Sequence, residues 1–196
     1  TIKAGKIVNE TENKTFGYKE LTLSNGATVI LKKTDFKDDE VQMQAFAKGG
    51  KSLYGAADYT NLKVFDQVIG ISGLGNFSSN ELQKALAGKE CNADATMGNT
   101  RQYVTAHSTP KDLETMMQMQ YLYFTGINKD DKQFQNLMTQ LDMALKNKSL
   151  SPDAVFSDSL ATTMYAYNPR FTQLDVKDLK DINYDRILQI AKERLD

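Results

Sequence analysis

Hydrophobic and polar residues alternate along the first part of the chain with the two-residue period of β-strands. Two runs rich in apolar residues, 21–24 and 28–31, flank the dipeptide Asn25-Gly26. Asn-Gly accepts positive φ at both central positions of a type I′ turn, so we expect a β-hairpin here. Alternate apolar residues from Val41 to Ala47 then predict a third strand, which ends at Gly49-Gly50.

The period changes to that of a helix in residues 61–71, where apolar residues recur every three or four positions. A glycine-rich stretch ends this helix. Ser78, with Glu81 three residues later, forms a capping box in front of a second helix over residues 79–87. Two further strands are predicted at residues 92–96 and 102–106.

The rest of the chain has the helical period, with predicted helices beginning at Pro110, near Phe134, at Pro152 and at Tyr184. Each has an apolar stripe that we expect to face the core. The stripes comprise Leu113, Met116, Met117, Tyr121 and Phe124; then Phe134, Leu137, Met138, Leu141 and Leu145; then Val155, Phe156, Leu160 and Met164; and last Ile187, Leu188, Ala191 and Leu195.

Strands followed by helices, without strict alternation, predict an α+β fold. We expect an antiparallel or mixed sheet of about five strands with helices packed on one face. Residues 1–17 are polar and are interpreted as a linker or N-terminal arm. Residues 18–196 are long enough for one sizeable core and are interpreted as a single domain.

Composition and charge exclude several classes of function. The 24 Lys and Arg residues are interleaved with 25 Asp and Glu residues, so no basic patch for nucleic acid is expected. No apolar run is long enough to insert into a membrane. Cys91 and His107 are the only Cys and His residues, so no zinc site can be assembled from these two residue types.

The order of short motifs resembles the insulinase/pitrilysin family of zinc metallopeptidases. The matching segments are residues 21–26, Gly49-Gly50, Ser79-x-Glu81-Leu82, Asn92-Ala93, Thr100-x-x-Tyr103 and the helix that carries Leu113. The resemblance implies a metallopeptidase-like α/β sandwich. The details between Gly73 and Lys89 look most like a non-catalytic copy of the domain in the C-terminal half of a larger bacterial member.

The resemblance also implies that the catalytic motif is degenerate. Where active members carry His-x-x-Glu-His, this chain has Val64, Gln67 and Val68. Valine has no lone pair for a metal, and glutamine is too weakly basic to deprotonate a zinc-bound water. We therefore expect no catalytic residue, metal ligand or cofactor in this domain, and zinc elsewhere in the parent protein.

The function expected from the resemblance is that of a non-catalytic domain that helps to enclose and bind peptide substrate. Its expected partners are other domains of the parent peptidase and the peptide, in a periplasmic or secreted setting. A second hypothesis is an inactive structural subunit of the same fold. The last predicted helix is not followed by a closing strand, so we also expect an open sheet edge through which chains could self-associate.

Overall fold

The computed structural model describes residues 5–195, which divide into two compact units, one up to Asp39 and one from Glu40 onwards. The secondary structure consists of helices and antiparallel sheets, so the α+β class is confirmed. Within residues 5–195 the strands fall into three sheets, two of three strands and one of two. The largest sheets are therefore smaller than the expected sheet of about five strands.

The first unit is an antiparallel sheet of β1 (Ile7–Asn13), β2 (Tyr18–Leu23) and β3 (Thr28–Leu31), in that order. The segment interpreted as an arm thus contains a strand, and the boundary expected at residue 17 falls inside the β1–β2 connection. The side chains of β1 are nearly all exposed. Because ladder hydrogen bonds join backbone groups, such a strand forms without the apolar alternation that would have predicted it.

The β2–β3 hairpin is confirmed, but its type I′ turn is not. Of the two residues expected at the centre of the turn, Gly26 has positive φ, at 85°, but Asn25 does not. The Gly26 N–H donates to the Leu23 carbonyl at 2.9 Å, and the Leu23 N–H donates to the Ala27 carbonyl at 2.8 Å. This pattern encloses a three-residue loop in which the glycine forms a G1-type bulge.

The second unit is built on a sheet with the order β4 (Val41–Lys48), β7 (Arg101–Ser108), β6 (Cys91–Met97). Both pairings are antiparallel, and residues such as Ala45, Val104 and Ala95 lie side by side across them. A small separate pair joins β5 (Gly73–Leu74) to β8 (Ile127–Asn128). Within the second unit, β4 and β6 are the edge strands of the main sheet.

Seven α-helices complete the described part of the second unit. They are α1 (Tyr59–Lys63), α2 (Phe65–Ile71), α3 (Ser79–Ala85), α4 (Leu113–Thr125), α5 (Asp131–Lys148), α6 (Pro152–Met164) and α7 (Tyr184–Leu195). Helices α2 and α4 pack on one face of the sheet, and α7 packs against both of them. The core lies between this face and the helices, as expected. The capping box on α3 is also confirmed.

The apolar stripe predicted for α4 is wrong except at Met116. Its buried residues are Met116, Met119, Gln120 and Tyr123, while Leu113, Met117, Tyr121 and Phe124 are exposed. Helix α4 has apolar residues around most of its circumference, so spacing alone allows more than one stripe. Contact with β6 and β7 selects the face that is buried. Of the two tyrosines in α4, Tyr123 is buried and Tyr121 is exposed.

Candidate functional site

The three residues at the expected motif positions lie where one helix gives way to the next. Val64 separates α1 from α2, with φ −108° and ψ 3°, and Gln67 and Val68 belong to α2. Val64 and Val68 are buried, at 1% and 0% exposure, whereas Gln67 points to solvent. The two valines are part of the apolar core that includes Phe65 and Ile69.

This arrangement does not fit a zinc ion. A zinc site needs His, Cys or carboxylate donors around an accessible position, and two buried isopropyl groups offer none. On α5, the carboxylate of Asp142 pairs with Lys146, with Oδ2 and Nζ 2.6 Å apart. No group of three or more His, Cys, Asp or Glu side chains within residues 5–195 is placed to hold a metal.

The motif segment does have a clear structural role. The Met97 N–H of β6 donates to Asp66 Oδ1 at 2.8 Å, which ties the first turn of α2 to the sheet. The Asn183 N–H donates to Asn61 Oδ1 at 2.8 Å, which ties α1 to the start of α7. The segment therefore packs the helical layer onto the sheet with apolar side chains inside and polar anchors at its ends.

The opposite face of the main sheet is open. The residues on this open face are Gln42, Gln44, Phe46 and Lys48 from β4; Arg101, Tyr103, Thr105 and His107 from β7; and Asn92, Asp94 and Thr96 from β6. Most of these side chains are exposed or half-buried, and they are mainly amides, hydroxyls and aromatic rings. Such a surface offers donors, acceptors and flat apolar area, with few formal charges.

Two features organise this outer face. The Arg101 guanidinium lies 5.1 Å from the centroid of the Phe46 ring, so an exposed aromatic side chain is held in place by a cation–π contact. Towards the other end of the strands, a shallow depression of about 480 Å³ is lined by Gln44, Asp94, His107 and their neighbours. His107 thus lies on the open face, and its backbone N–H donates to Asn92 Oδ1 at 3.3 Å.

The sequence predicted these strands but not the surface that they form. Gln42 and Gln44 alternate with the inward-facing Val41 and Met43, so an outward polar row on β4 could have been found. The alignment of that row with Tyr103 and Asp94 depends on the register with β7 and β6. Cys91 lies at the start of β6, and burial raises the pKa of its thiol, which disfavours the reactive thiolate.

A second concavity of about 620 Å³ lies between α1, α5, α6 and residues 169–178. Its lining is rich in hydroxyl groups, including Ser159, Thr162 and Thr172. Lys63 Nζ donates to Thr172 Oγ1 at 3.1 Å, and burial lowers the pKa of this lysine. Nothing in this groove forms a recognisable catalytic pair.

The segment after α6 is clamped to the rest of the second unit by Arg170. Its guanidinium donates to the carbonyl oxygens of Lys51 and Tyr54, each at 2.8 Å, and lies 4.6 Å from the centroid of the Tyr59 ring. The groove therefore has a fixed wall on this side. None of the helices within residues 5–195 combines the length and the apolar character needed to cross a bilayer.

Comparison with curated proteins finds similarity to two zinc proteases. No family model matches the chain. It is 25% identical over 180 residues to the "Zinc protease PQQL-like" of Arabidopsis thaliana, a match that covers 91% of this chain and 16% of that protein. It is 24% identical over 146 residues to the "Probable zinc protease PqqL" of Escherichia coli (strain K12), covering 74% of this chain and 16% of that protein.

The fold agrees with these matches. The crystal structure of the periplasmic protease PqqL from Escherichia coli superposes with a TM-score of 0.81 at 21% identity, over 99% of this chain and 22% of that chain. The chain spans about a sixth of the length of the curated relatives that it matches. Because the relatives include a plant and a bacterial protein, the bacterial origin stays a prediction. The expected resemblance to insulinase/pitrilysin zinc peptidases is confirmed, since nine tenths of this chain is similar to a segment of a zinc protease.

Proposed function

We propose that this chain is a non-catalytic domain of a larger zinc metallopeptidase and that its open sheet face helps to enclose and bind peptide substrate. The observation that carries the proposal is the division of the second unit into two faces. One face buries Val64 and Val68 in the core, where the resemblance places metal ligands. The other face is an exposed array of amides, hydroxyls and aromatic rings.

The chemistry of the open face suits an extended peptide. Exposed amides such as Gln42, Gln44 and Asn92 can donate to and accept from peptide groups, and Phe46 and Tyr103 provide area for apolar side chains. The edge strands β4 and β6 add backbone groups that can pair with an extended chain. Neither mode of binding requires a particular substrate side chain, so a broad range of peptides fits.

The proposed setting follows from the matched proteins. The relatives are zinc proteases about six times the length of the matched segment, so catalysis is assigned to a domain outside this chain, where zinc would be bound. One matched structure is that of a periplasmic protease, and we extend that location to this chain as part of the proposal.

The test is binding of an unstructured, fluorescently labelled peptide to the 196-residue chain, followed by anisotropy. The double variant Phe46→Ala/Tyr103→Ala should weaken binding by about tenfold, because two aromatic contacts of roughly 0.7 kcal/mol each are lost. Met143→Ala, which removes an exposed side chain from α5, is the matched control and should bind as the unmodified chain does.

Two outcomes would count against the proposal. Peptide affinity that does not change in the double variant would show that the open face is not the binding surface. No measurable binding of any unstructured peptide, to this chain or to a longer polypeptide that contains it, would favour the hypothesis of a structural subunit.

A further inference from the structure

Helix α6 exposes its large apolar side chains to solvent, whereas a helix in an isolated domain normally buries them in the core. Phe156, Leu160 and Met164 follow one another at four-residue spacing and form a single stripe. They are 67%, 50% and 74% exposed. These three residues and Val155 were expected to face the core, and the structure leaves all four exposed.

The opposite side of α6 faces its own unit and is less apolar. Ala154, Asp158, Ala161 and Thr162 are half-buried there. Asp158 pairs with Lys148 at the end of α5, with Nζ and Oδ2 2.6 Å apart. The hydroxyl-rich groove lies beneath this side. Turning the helix to bury the stripe would break the ion pair and press Phe156, Leu160 and Met164 against polar groups.

Two more apolar side chains, one before the helix and one after it in sequence, are also exposed. Leu150 precedes α6 and is 80% exposed, and Tyr167 follows it and is 68% exposed. Tyr167 and Ala166 both have left-handed backbone, with φ of 58° and 51°, so the chain turns sharply in a conformation that is unfavourable for residues other than glycine. A row of large apolar side chains exposed on a folded unit marks an interaction surface.

We propose that the α6 stripe, defined as Phe156, Leu160 and Met164, docks against an apolar face of another domain of the same polypeptide. The inference deepens the proposed function and rests on it, because it requires that the chain belongs to a longer protease. The matched segment makes up 16% of the curated relatives and 22% of the PqqL structure, so in those proteins most of the polypeptide lies outside it. That remainder is the candidate partner.

The charges on α6 favour this occupant over a membrane. The helix contains two aspartates, Asp153 and Asp158, and no lysine or arginine. Helices that lie on anionic lipid carry basic residues beside their apolar face, and α6 has the opposite sign. The stripe itself is uncharged, so its complement is an apolar protein surface.

The test compares hydrogen exchange over residues 152–167 in the 196-residue chain and in the longer polypeptide encoded by the same reading frame. Docking should slow exchange in this segment by about tenfold or more in the longer polypeptide, because local opening then also breaks the interface. The triple variant Phe156→Ser/Leu160→Gln/Met164→Gln should abolish that protection and lower the thermal midpoint of the longer polypeptide. The same variant should leave the midpoint of the 196-residue chain unchanged. Leu53→Gln, at another exposed apolar position, is the control and should leave both proteins unchanged.

Three results would overturn the inference. The first is equal exchange over residues 152–167 in both proteins. The second is a reading frame that encodes no further domain. The third is a dimer of the 196-residue chain that the triple variant converts to a monomer, since the occupant would then be a second copy. The proposed function would fail in the peptide-binding assay instead, so the two failures are distinguishable.

Discussion

Gln102 shows how a single buried polar side chain can hold three segments together. Its Oε1 accepts from the Gly50 N–H at 3.0 Å, and its Nε2 donates to the Arg194 carbonyl at 3.0 Å. Strand β7, the loop after β4 and the end of α7 thus meet at one amide. Because both ends of the amide are satisfied, its burial is compatible with stability.

Gly50 is the position where we expect the largest effect of adding a methyl group. Its φ is 55°, and a Cβ atom would lie 2.4 Å from the Gly98 carbonyl oxygen and 2.6 Å from the Arg101 nitrogen. Strain and overlap with backbone should together make Gly50→Ala about 2–4 kcal/mol less stable in chemical denaturation.

Gly70 provides the matched control for that substitution. It lies in α2, and a Cβ atom there would meet nothing within 4 Å. Gly70→Ala should therefore stabilise the protein by roughly 0.5–1 kcal/mol, because alanine is the better helix former. Similar changes in the two variants would show that the backbone around Gly50 is not as tightly packed as described.

Tyr123 should make stability depend on pH in the alkaline range. Burial raises the pKa of its hydroxyl from 10.0 to about 12, and the nearby Asp94 carboxylate adds to the shift. The folded state therefore favours the protonated form. This contribution to stability is complete below pH 10 and is lost as the pH rises to about 12, since the unfolded chain releases the proton first.

The measurement for Tyr123 is the free energy of unfolding between pH 9 and pH 12, roughly the range over which tyrosine titrates. Tyr123→Phe should reduce the alkaline decline, and Tyr121→Phe, on the exposed side of the same helix, is the control for the lost hydroxyl. Tyr54, whose pKa is also raised to about 12 by burial and by its hydrogen bond to Glu193, should account for part of the remaining decline. An unchanged decline in Tyr123→Phe would contradict the expected shift.

At the scale of elements, helices and strands follow the periodicity of the sequence, but the faces that they bury do not always do so. Helix α7 buries Ile187, Ala191 and Leu195 as expected, and the fourth residue of that stripe, Leu188, is half-buried. Helix α4 buries a different stripe, and α6 exposes the one that was expected to be internal. In α7 the apolar residues form one narrow stripe, so only one orientation buries them.

The first hairpin provides a test at this scale. Gly26 is left-handed with φ of 85°, and no atom lies within 4 Å of a Cβ built there, so backbone strain is the only penalty. Gly26→Val should cost on the order of 1–3 kcal/mol. Gly26→Asn is the control and should cost clearly less, because asparagine tolerates the left-handed region. Equal midpoints for the valine variant and the unmodified chain would mean that the loop is not set by this residue.

At the scale of the whole molecule, the second unit is a sheet with one face buried and one face open. Val64 and Val68 belong to the buried face, together with the helices that cover it. We propose that this domain has lost metal chemistry and keeps the surface that contacts peptide. The proposal predicts that the isolated chain binds no stoichiometric zinc and has no chelator-sensitive peptidase activity, as measured by elemental analysis and by peptide cleavage.

Restoring the motif should not restore a zinc site. The triple variant Val64→His/Gln67→Glu/Val68→His would place two imidazoles at positions with 1% and 0% exposure. We expect a loss of about 2 kcal/mol or more in stability, because buried polar rings would replace well-packed methyl groups. With only two histidine ligands, we also expect weak zinc binding at most. Nanomolar zinc affinity in a folded triple variant would show that the ligand set has been misjudged.

The sequence by itself determined the α+β class, the positions of most helices and strands, and the resemblance to zinc peptidases. These follow from local physics: period, capping residues and turn residues act over a few neighbours in the chain. It also identified Val64, Gln67 and Val68 as the residues to examine, since the order of motifs is a property of the chain alone. Strand β1 was missed because its exposed polar side chains leave no periodic signal.

Only the tertiary structure decided which faces are buried and which are open. The register of β4, β7 and β6 brings Gln44, Thr105 and Asp94 side by side, although Thr105 lies 61 positions after Gln44 and 11 after Asp94. Helix α6 lies with the ion pair between Lys148 and Asp158 on its inner side and with its apolar stripe outwards. Both depend on contacts between distant segments, and a helix with several apolar stripes has no preferred orientation until another element packs against it.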